Sequence, residues 1–279
     1  MNNKANSLQH LVEPLIEVAS KAGAAILQIY QSDFEVTAKA DQSPLTEADM
    51  ASHRAIVSEL QSLTPEWPVL SEESAEVPYS ERRHWQRYWL IDPLDGTKEF
   101  VKRNGEFTVN IALIDQHRPV LGVVHVPVRQ QTYYGLLGHG AFRIDANGQT
   151  QKIRPTVPPA EPLRIVGSRS HLGPRVKAYL AAMDDCAMVS MGSSLKLCLV
   201  AEGAADLYPR LGPTSEWDTA AAQAVVEAAG GLVVRTDGSK LRYNTRESLL
   251  NPEFLVFADS GRDWTAAVPA GPTHEDLLA

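Results

Sequence analysis

Residues Trp89-Leu90-Ile91-Asp92-Pro93-Leu94-Asp95-Gly96-Thr97-Lys98-Glu99-Phe100 pass from an apolar string straight into two aspartates, a proline, a glycine and a threonine. The string predicts a buried strand with Asp92 at its carboxyl end. Pro93 cannot donate to a sheet and is expected to end the pairing, while Gly96 permits a tight turn into a following helix. Two carboxylates three positions apart suit a hard divalent cation, and the free N–H groups of a helix start near Gly96 and Thr97 suit an anion. The same residues also read as ordinary turn chemistry with an Asp or Thr N-cap. Carboxylates elsewhere in the chain have to decide between the two.

Such carboxylates recur in similar settings. Asp49 lies in the helix opening Pro44-Leu45-Thr46-Glu47-Ala48-Asp49, and Glu72 and Glu73 follow the apolar Val69-Leu70-Ser71. Asp218 follows Trp217 at the start of an Ala-rich helix, where its plain role is to cap Thr219–Ala229, a helix closed by Gly230-Gly231. An all-oxygen set of this kind matches Mg²⁺. The 8 histidines are scattered, with no HExxH or HxH pairing, which disfavours zinc.

The composition narrows the class. With 279 residues, 44% of them hydrophobic, the chain can bury a large core as one big domain or two lobes. A net charge of −8 argues against a nucleic-acid groove, so an anionic substrate needs metal ions or a few placed cations. The 2 cysteines, Cys186 and Cys198, form no CxxC and read as small buried residues in a reducing cytosol. No apolar run approaches the roughly 18 residues that a membrane span requires. Leu8, Leu11, Val12, Leu15, Ile16, Ala19, Ala22, Ile26 and Ile29 form a helical stripe that faces a core rather than a signal peptide.

Two helices are expected early, Leu8 to Tyr30 and Thr46 to Leu63, with Asp41-Gln42-Ser43-Pro44 as the breaker between them. Runs at Thr108–Ile114, Val120–Val126 and Thr132–Leu137 predict an antiparallel meander. The proline-rich 149–162 segment is the expected boundary between an N-terminal α+β lobe, 1–155, and a C-terminal α/β lobe, 156–279. In the second lobe, strands near 163–166, 187–190, 232–234 and 254–258 alternate with helices near 175–183, 194–201 and 219–229. Glu81-Arg82-Arg83-His84 reads as an exposed mixed-charge segment.

Asp92-Pro93-Leu94-Asp95-Gly96-Thr97, the upstream Glu72-Glu73-Ser74 and the late Glu216-Trp217-Asp218-Thr219-Ala220-Ala221 together resemble the three ordered motifs of the inositol monophosphatase family. Lys98-Glu99-Phe100, Gly192-Ser193-Ser194-Leu195-Lys196 and Leu199 to Arg210 are similar to its 3′(2′),5′-bisphosphate nucleotidase branch. Ser168-Arg169-Ser170-His171 resembles a family loop near the nucleotide, or reads as a turn. An Asp-x-Asp-Gly-Thr nucleophile motif of the haloacid-dehalogenase kind differs, because both Pro93 and Leu94 separate the aspartates here.

The resemblance implies a layered α/β/α/β/α sandwich and a Mg²⁺-dependent, lithium-sensitive phosphatase with two or three metal ions. Glu72, Asp92, the Leu94 carbonyl, Asp95 and Asp218 would be the metal ligands. Thr97, Glu72 and Asp49 would serve a water that attacks phosphorus directly. Adenosine 3′,5′-bisphosphate is the implied substrate, and 3′-phosphoadenosine 5′-phosphosulfate a further one. Glu72, Leu94, Asp95, Gly96, Thr97, Ser193, Lys196, Arg210 and Asp218 would form its binding surface. Where inositol monophosphatases carry a glutamate toward sugar hydroxyls, this chain places Arg210, which suits a second phosphate. The expected setting is a cytoplasmic monomer or homodimer, with peripheral contact to the inner membrane an option. Inositol monophosphatase or fructose-1,6-bisphosphatase activity, or an inactive nucleotide- and metal-binding module, are the competing readings.

Overall fold

The computed structural model describes residues 7–31, 36–38, 44–74, 76–167, 172–183, 185–273 and 276. Two sequence expectations, the breaker at 41–43 and the loop at 168–171, lie outside them. The chain opens with helix α1 (Val12–Tyr30), an antiparallel pair formed by β1 (Val36–Ala38) and β2 (Pro44–Thr46), and helix α2 (Glu47–Leu63). Seven strands follow, adjacent in chain order: β3 (Val69–Ser71), β4 (Arg87–Asp95), β5 (Thr108–Asp115), β6 (Arg118–Val126), β7 (Gln131–Leu136), β8 (Gly140–Ile144) and β9 (Thr150–Ile153). The β3–β4 pair is parallel and the remaining pairs are antiparallel. Short helices α3 (Tyr79–Arg82) and α4 (Thr97–Val101) flank β4.

The second sheet comprises β10 (Leu163–Gly167), β11 (Cys186–Ser190), β12 (Leu207–Arg210), β13 (Leu232–Arg235) and β14 (Phe254–Phe257), in the spatial order β11-β10-β12-β14-β13. It is parallel from β11 to β12 and antiparallel beyond. Helices α5 (Pro174–Ala181), α6 (Leu195–Ala201) and α7 (Glu216–Ala229) pack with this second sheet, α6 and α7 also with the first.

Strand periodicity sorts the core into layers, because successive side chains of a strand point to opposite faces. Trp89, Ile91, Val109, Ile111 and Leu113 pack with α1 and α2, whereas Tyr88, Leu90, Ala112 and Ile114 pack with α6, α7 and the inner face of the second sheet. The outer face of that sheet, with Ile165, Leu207, Leu255 and Phe257, packs against Tyr179 of α5 and Trp264. The expected α/β/α/β/α sandwich is the observed one. The parity also orients the site: Asp92 follows Tyr88 and Leu90 on the face that looks toward α7.

Four features depart from the sequence reading. Pro93 does not end β4; the missing N–H falls in a bulge between Asp92 and Asp95, after which Asp95 pairs with Thr108. The expected boundary segment begins too early, because Thr150–Ile153 is the edge strand β9, paired with β8. Arg82 is not exposed. It is buried, and its guanidinium donates to Asn244 Oδ1 at 2.6 Å and to the carbonyls of Arg246 and Glu247. A long-range pocket of acceptors compensates its burial, which local charge patterning does not reveal. Of the two cysteines Cys198 is buried and Cys186 only half-buried.

Close helix-to-sheet packing depends on Gly122 of β6. A Cβ there would lie 2.2 Å from the Ala221 carbonyl oxygen and 2.8 Å from Ala224 Cβ, both on α7. Since backbone cannot yield as a side-chain tip can, Gly122→Ala is expected to cost about 2–4 kcal/mol, read from urea unfolding.

His125, also on β6, is buried and pushed down to about 4 by burial, with Nδ1 2.9 Å from Thr132 Oγ1. The unfolded chain takes up a proton near pH 6.5 that the folded chain refuses until about pH 4. Stability is therefore full above pH 6.5 and falls as pH drops from 6.5 toward 4, by up to about 3 kcal/mol. Urea titrations of wild type and His125→Gln should diverge in slope across that window.

Candidate active site

The bulge at the end of β4, the turn into α4, the start of α6 and the start of α7 surround a cleft of about 670 Å³. Glu72, Asp92, Leu94, Asp95, Gly96, Thr97, Ser193, Lys196, Arg210 and Asp218 all line it. Ten positions singled out from the sequence thus meet at one place. Asp49, the third residue of α2, is buried and does not line the cleft, although its charge acts on Asp92.

Asp92, Asp95 and Asp218 each offer a carboxylate oxygen, and these oxygens lie within 4.8 Å of one another. Glu72 borders the same cleft but stands outside that group of three. Asp92 Oδ1 accepts the Leu94 N–H at 3.1 Å, while Asp92 Oδ2 is buried with no hydrogen-bond partner. Gly96 has φ 94°, a left-handed conformation that permits α4 to begin directly after Asp95.

The structure revises the role of Asp218. Ser215 is the N-cap of α7, and Asp218 is the third helical residue of a capping box, its Oδ2 accepting the Ser215 N–H at 2.9 Å. The carboxylate that anchors the helix start thus also belongs to the cleft cluster. Nearby Glu216 is buried, receives the Asn244 N–H on both oxygens at 2.9 Å, and is pushed up to about 8 by its burial. Arg82 and Glu216 both bind Asn244, so this buried network ties α3 to the segment that presents Asp218.

Converging carboxylates resist ionisation. Burial, followed by Glu72, Asp95, Asp218 and Asp49, holds Asp92 well above the usual carboxylate range. Asp95 is pushed up to about 6, mainly by burial, against the pull of Lys196 and the Ser194 N–H. Asp218 is pushed up to about 8 by burial and then by Asp95, with the Ser215 N–H and Arg210 opposing. A divalent cation would neutralise this repulsion. The residues fit one: the donor set is entirely oxygen, and the buried, partnerless Asp92 Oδ2 is a ready ligand.

The cationic side chains stand on the α6 and β12 side of the cleft. Lys196 Nζ donates to the Ser193 carbonyl at 2.6 Å, and Arg210 donates through Nη2 to the Pro213 carbonyl. The Arg210 Nε is buried without a protein acceptor. Both side chains are half-buried.

Sequence reasoning missed Ser194, Thr108 and Asn110, which are buried beside Asp95 and hydrogen-bonded to one another. The signal was available in β5: Thr108 and Asn110 occupy the inward parity that Ala112 and Ile114 fill with apolar atoms.

Two mixed sheets enclosing a carboxylate cleft at the strand ends define a class of layered α/β proteins built around an acidic centre. The profile of the inositol monophosphatase family matches residues 7–265, and the chain belongs to that family. It is 50% identical over 249 residues to the 3′(2′),5′-bisphosphate nucleotidase CysQ of Salmonella typhimurium, covering 88% of this chain and 99% of that protein. The protein of the same name from Haemophilus influenzae is 38% identical over 257 residues, covering 92% of this chain and 96% of its own length. Among solved structures, CysQ from Bacteroides thetaiotaomicron superposes with a TM-score of 0.80 at 43% identity, covering 90% of this chain and 97% of that one.

Because the metal-free cluster holds protons at neutral pH, cation uptake must release them, and affinity should rise with pH. With Asp95 near 6 and Asp218 near 8, Mg²⁺ binding is expected to tighten steadily from pH 6 to pH 8. Calorimetry in buffers of different ionisation enthalpy reads the proton release. Asp92→Asn should raise the Tm of metal-free protein by about 2–4 °C, because an amide bears none of the cost of burying an ionisable carboxyl, and abolish the further rise on adding Mg²⁺.

Proposed function

We propose that the chain hydrolyses the 3′-phosphate of adenosine 3′,5′-bisphosphate to AMP and phosphate, and acts likewise on 3′-phosphoadenosine 5′-phosphosulfate. The observation that carries this reading is the juxtaposition, in one cleft, of the Asp92–Asp95–Asp218 cluster with Lys196 and Arg210. The first group suits a metal-held phosphate and the second a further anionic group. The kinship with bisphosphate nucleotidases at 50% identity supports the same substrate class.

In this reading Asp92, Asp95, Asp218, Glu72 and the Leu94 carbonyl hold two or three Mg²⁺ ions. Bound there, Mg²⁺ would supply Lewis-acid stabilisation of phosphate oxygens and a more acidic water. The protein's own contribution is positional. Thr97 Oγ1, at the first turn of α4, aligns the attacking water. Glu72 stands beside it to take up a proton, and buried Asp49 supports the arrangement from α2. Water oxygen bonds to phosphorus as the bond to the ribose 3′-oxygen breaks, and a proton passes to that leaving oxygen. Arg210 and Lys196 bind the 5′-phosphate, with Gly96 and Ser193 completing the surface around the nucleotide. The chain divides near residue 155 into two lobes that each contribute half of this cleft. Its setting is the cytoplasm; no described helix is long and apolar enough to cross a membrane.

Phosphate release from adenosine 3′,5′-bisphosphate, inositol 1-phosphate and fructose 1,6-bisphosphate tests the assignment. The bisphosphorylated nucleotide should be favoured in kcat/KM, with activity dependent on Mg²⁺ and inhibited by millimolar Li⁺. Arg210→Glu is expected to raise its KM at least tenfold with kcat little changed, the loss of about 1.5–3 kcal/mol in charge-assisted hydrogen bonding. Preference for inositol 1-phosphate would overturn the substrate, and metal binding without phosphate release would point to an inactive module.

A further inference from the structure

Behind Asp95 lies a buried polar chain that crosses between the two sheets. Thr108, Asn110 and Ser194 are 0%, 1% and 2% exposed, among apolar neighbours of the central layer. Ser194 Oγ donates to Asn110 Oδ1 at 2.9 Å. A serine hydroxyl has one hydrogen, so the 2.9 Å contact between Thr108 Oγ1 and Ser194 Oγ must be donated by Thr108. The Ser194 backbone N–H, in turn, donates to Asp95 Oδ2 at 2.5 Å.

The segment that carries Ser194 is held against alternatives. Ser193 adopts φ 44°, a left-handed conformation that costs a non-glycine residue about 1 kcal/mol or more and persists only where its surroundings enforce it. Gly192 donates its N–H to Glu106 Oε2 at 2.9 Å, and a Cβ on Gly192 would lie 2.8 Å from Glu99 Cγ and 2.9 Å from the Glu106 carbonyl oxygen. Residues 192–194 are therefore seated on the stretch that follows Asp95, and Ser194 is the point where the hydroxyl chain meets a cleft carboxylate. Asn110 also pairs directly with Asp92 across β4 and β5, so the two side chains share a face. Asn110 Nδ2 and Asp92 Oδ2 are both buried without partners, which leaves an amide donor in reserve on the side of the second carboxylate.

We infer that Thr108, Ser194 and Asn110 act as positioning residues, a relay that fixes the orientation of Asp95 and thereby sets the affinity of the cleft for its divalent cation. The inference rests on the metal-site reading above. Without the Ser194 hydroxyl, Thr108 and Asn110 lose their shared partner, the 192–194 segment loses its anchor to β5, and the N–H that aims Asp95 is free to swing. Groups that orient metal ligands characteristically contribute about 10–100-fold in metal affinity.

The test is Mn²⁺ binding to the full chain, read from the electron paramagnetic resonance signal of the free ion, beside KM for adenosine 3′,5′-bisphosphate at saturating metal. Ser194→Ala should weaken Mn²⁺ binding about tenfold and change the nucleotide KM less than about twofold. Thr108→Val is isosteric and keeps Ser194, and it should weaken Mn²⁺ binding about threefold, which keeps the test intact if Ser194→Ala does not fold. A purely structural role predicts a lower Tm with unchanged Mn²⁺ affinity, and that result would overturn the inference. Failure of the wild-type chain to bind Mn²⁺ would instead remove the metal-site reading on which the inference stands.

Discussion

The burial of Asp92, Asp95 and Asp218 beside one another, which holds all three carboxyls above their ordinary range, is the constraint around which this protein is built. Their oxygens converge to within 4.8 Å of one another at the floor of a cleft, where desolvation strengthens every like-charge interaction. A fold that gathers such groups works against its own stability, and the surrounding structure supplies the restraint. Each carboxylate is tied to backbone: Asp92 to the Leu94 N–H, Asp95 to the Ser194 N–H and Asp218 to the Ser215 N–H. These bonds pin one oxygen of each group.

The restraint is drawn from distant parts of the chain. Asp92 and Asp95 stand on the two sides of a bulge in β4, Asp218 sits in the capping box of α7, and Ser194 precedes α6. Helix α7 reaches the first sheet closely because Gly122 on β6 and Gly135 on β7 leave room for its backbone. The buried Arg82–Asn244–Glu216 network then fixes the start of the same helix. Packing and site geometry are thus one problem: the contacts that hold α7 on the sheet also hold Asp218 in register with Asp92 and Asp95.

Much of this was legible in the chain. Glu72, Asp92, Asp95, Gly96, Thr97, Ser193, Lys196, Arg210 and Asp218 were nominated from local pattern and resemblance, and they line a single cleft. Strong local signals explain why: an apolar run followed by acidic residues marks a strand end, and a glycine before a helix marks a turn. The failures share a cause. Arg82 looked like a surface charge because its acceptors lie more than 160 positions away, at Asn244, Arg246 and Glu247. The strands β8, β9 and β12 escaped notice because none carries an uninterrupted apolar run: β8 contains Gly140 and Arg143, β12 contains Pro209 and Arg210, and β9 is polar and exposed along three of its four residues. Asp218 read as an N-cap because capping-box and N-cap carboxylates occupy the same few positions at a helix start.

By itself, the sequence determined which residue types would meet: carboxylates of the kind that suit a hard cation, basic groups of the kind that suit an anion, and alternating apolar runs for two sheets. Those properties are local, set by side-chain chemistry and by the two-residue and 3.6-residue periods of strand and helix. Only the tertiary structure decided how close the carboxylates stand, which oxygen of each is restrained, and that Thr108, Ser194 and Asn110 lie behind Asp95. Distances between residues remote in the chain follow from the packing of layers, and no local period encodes them.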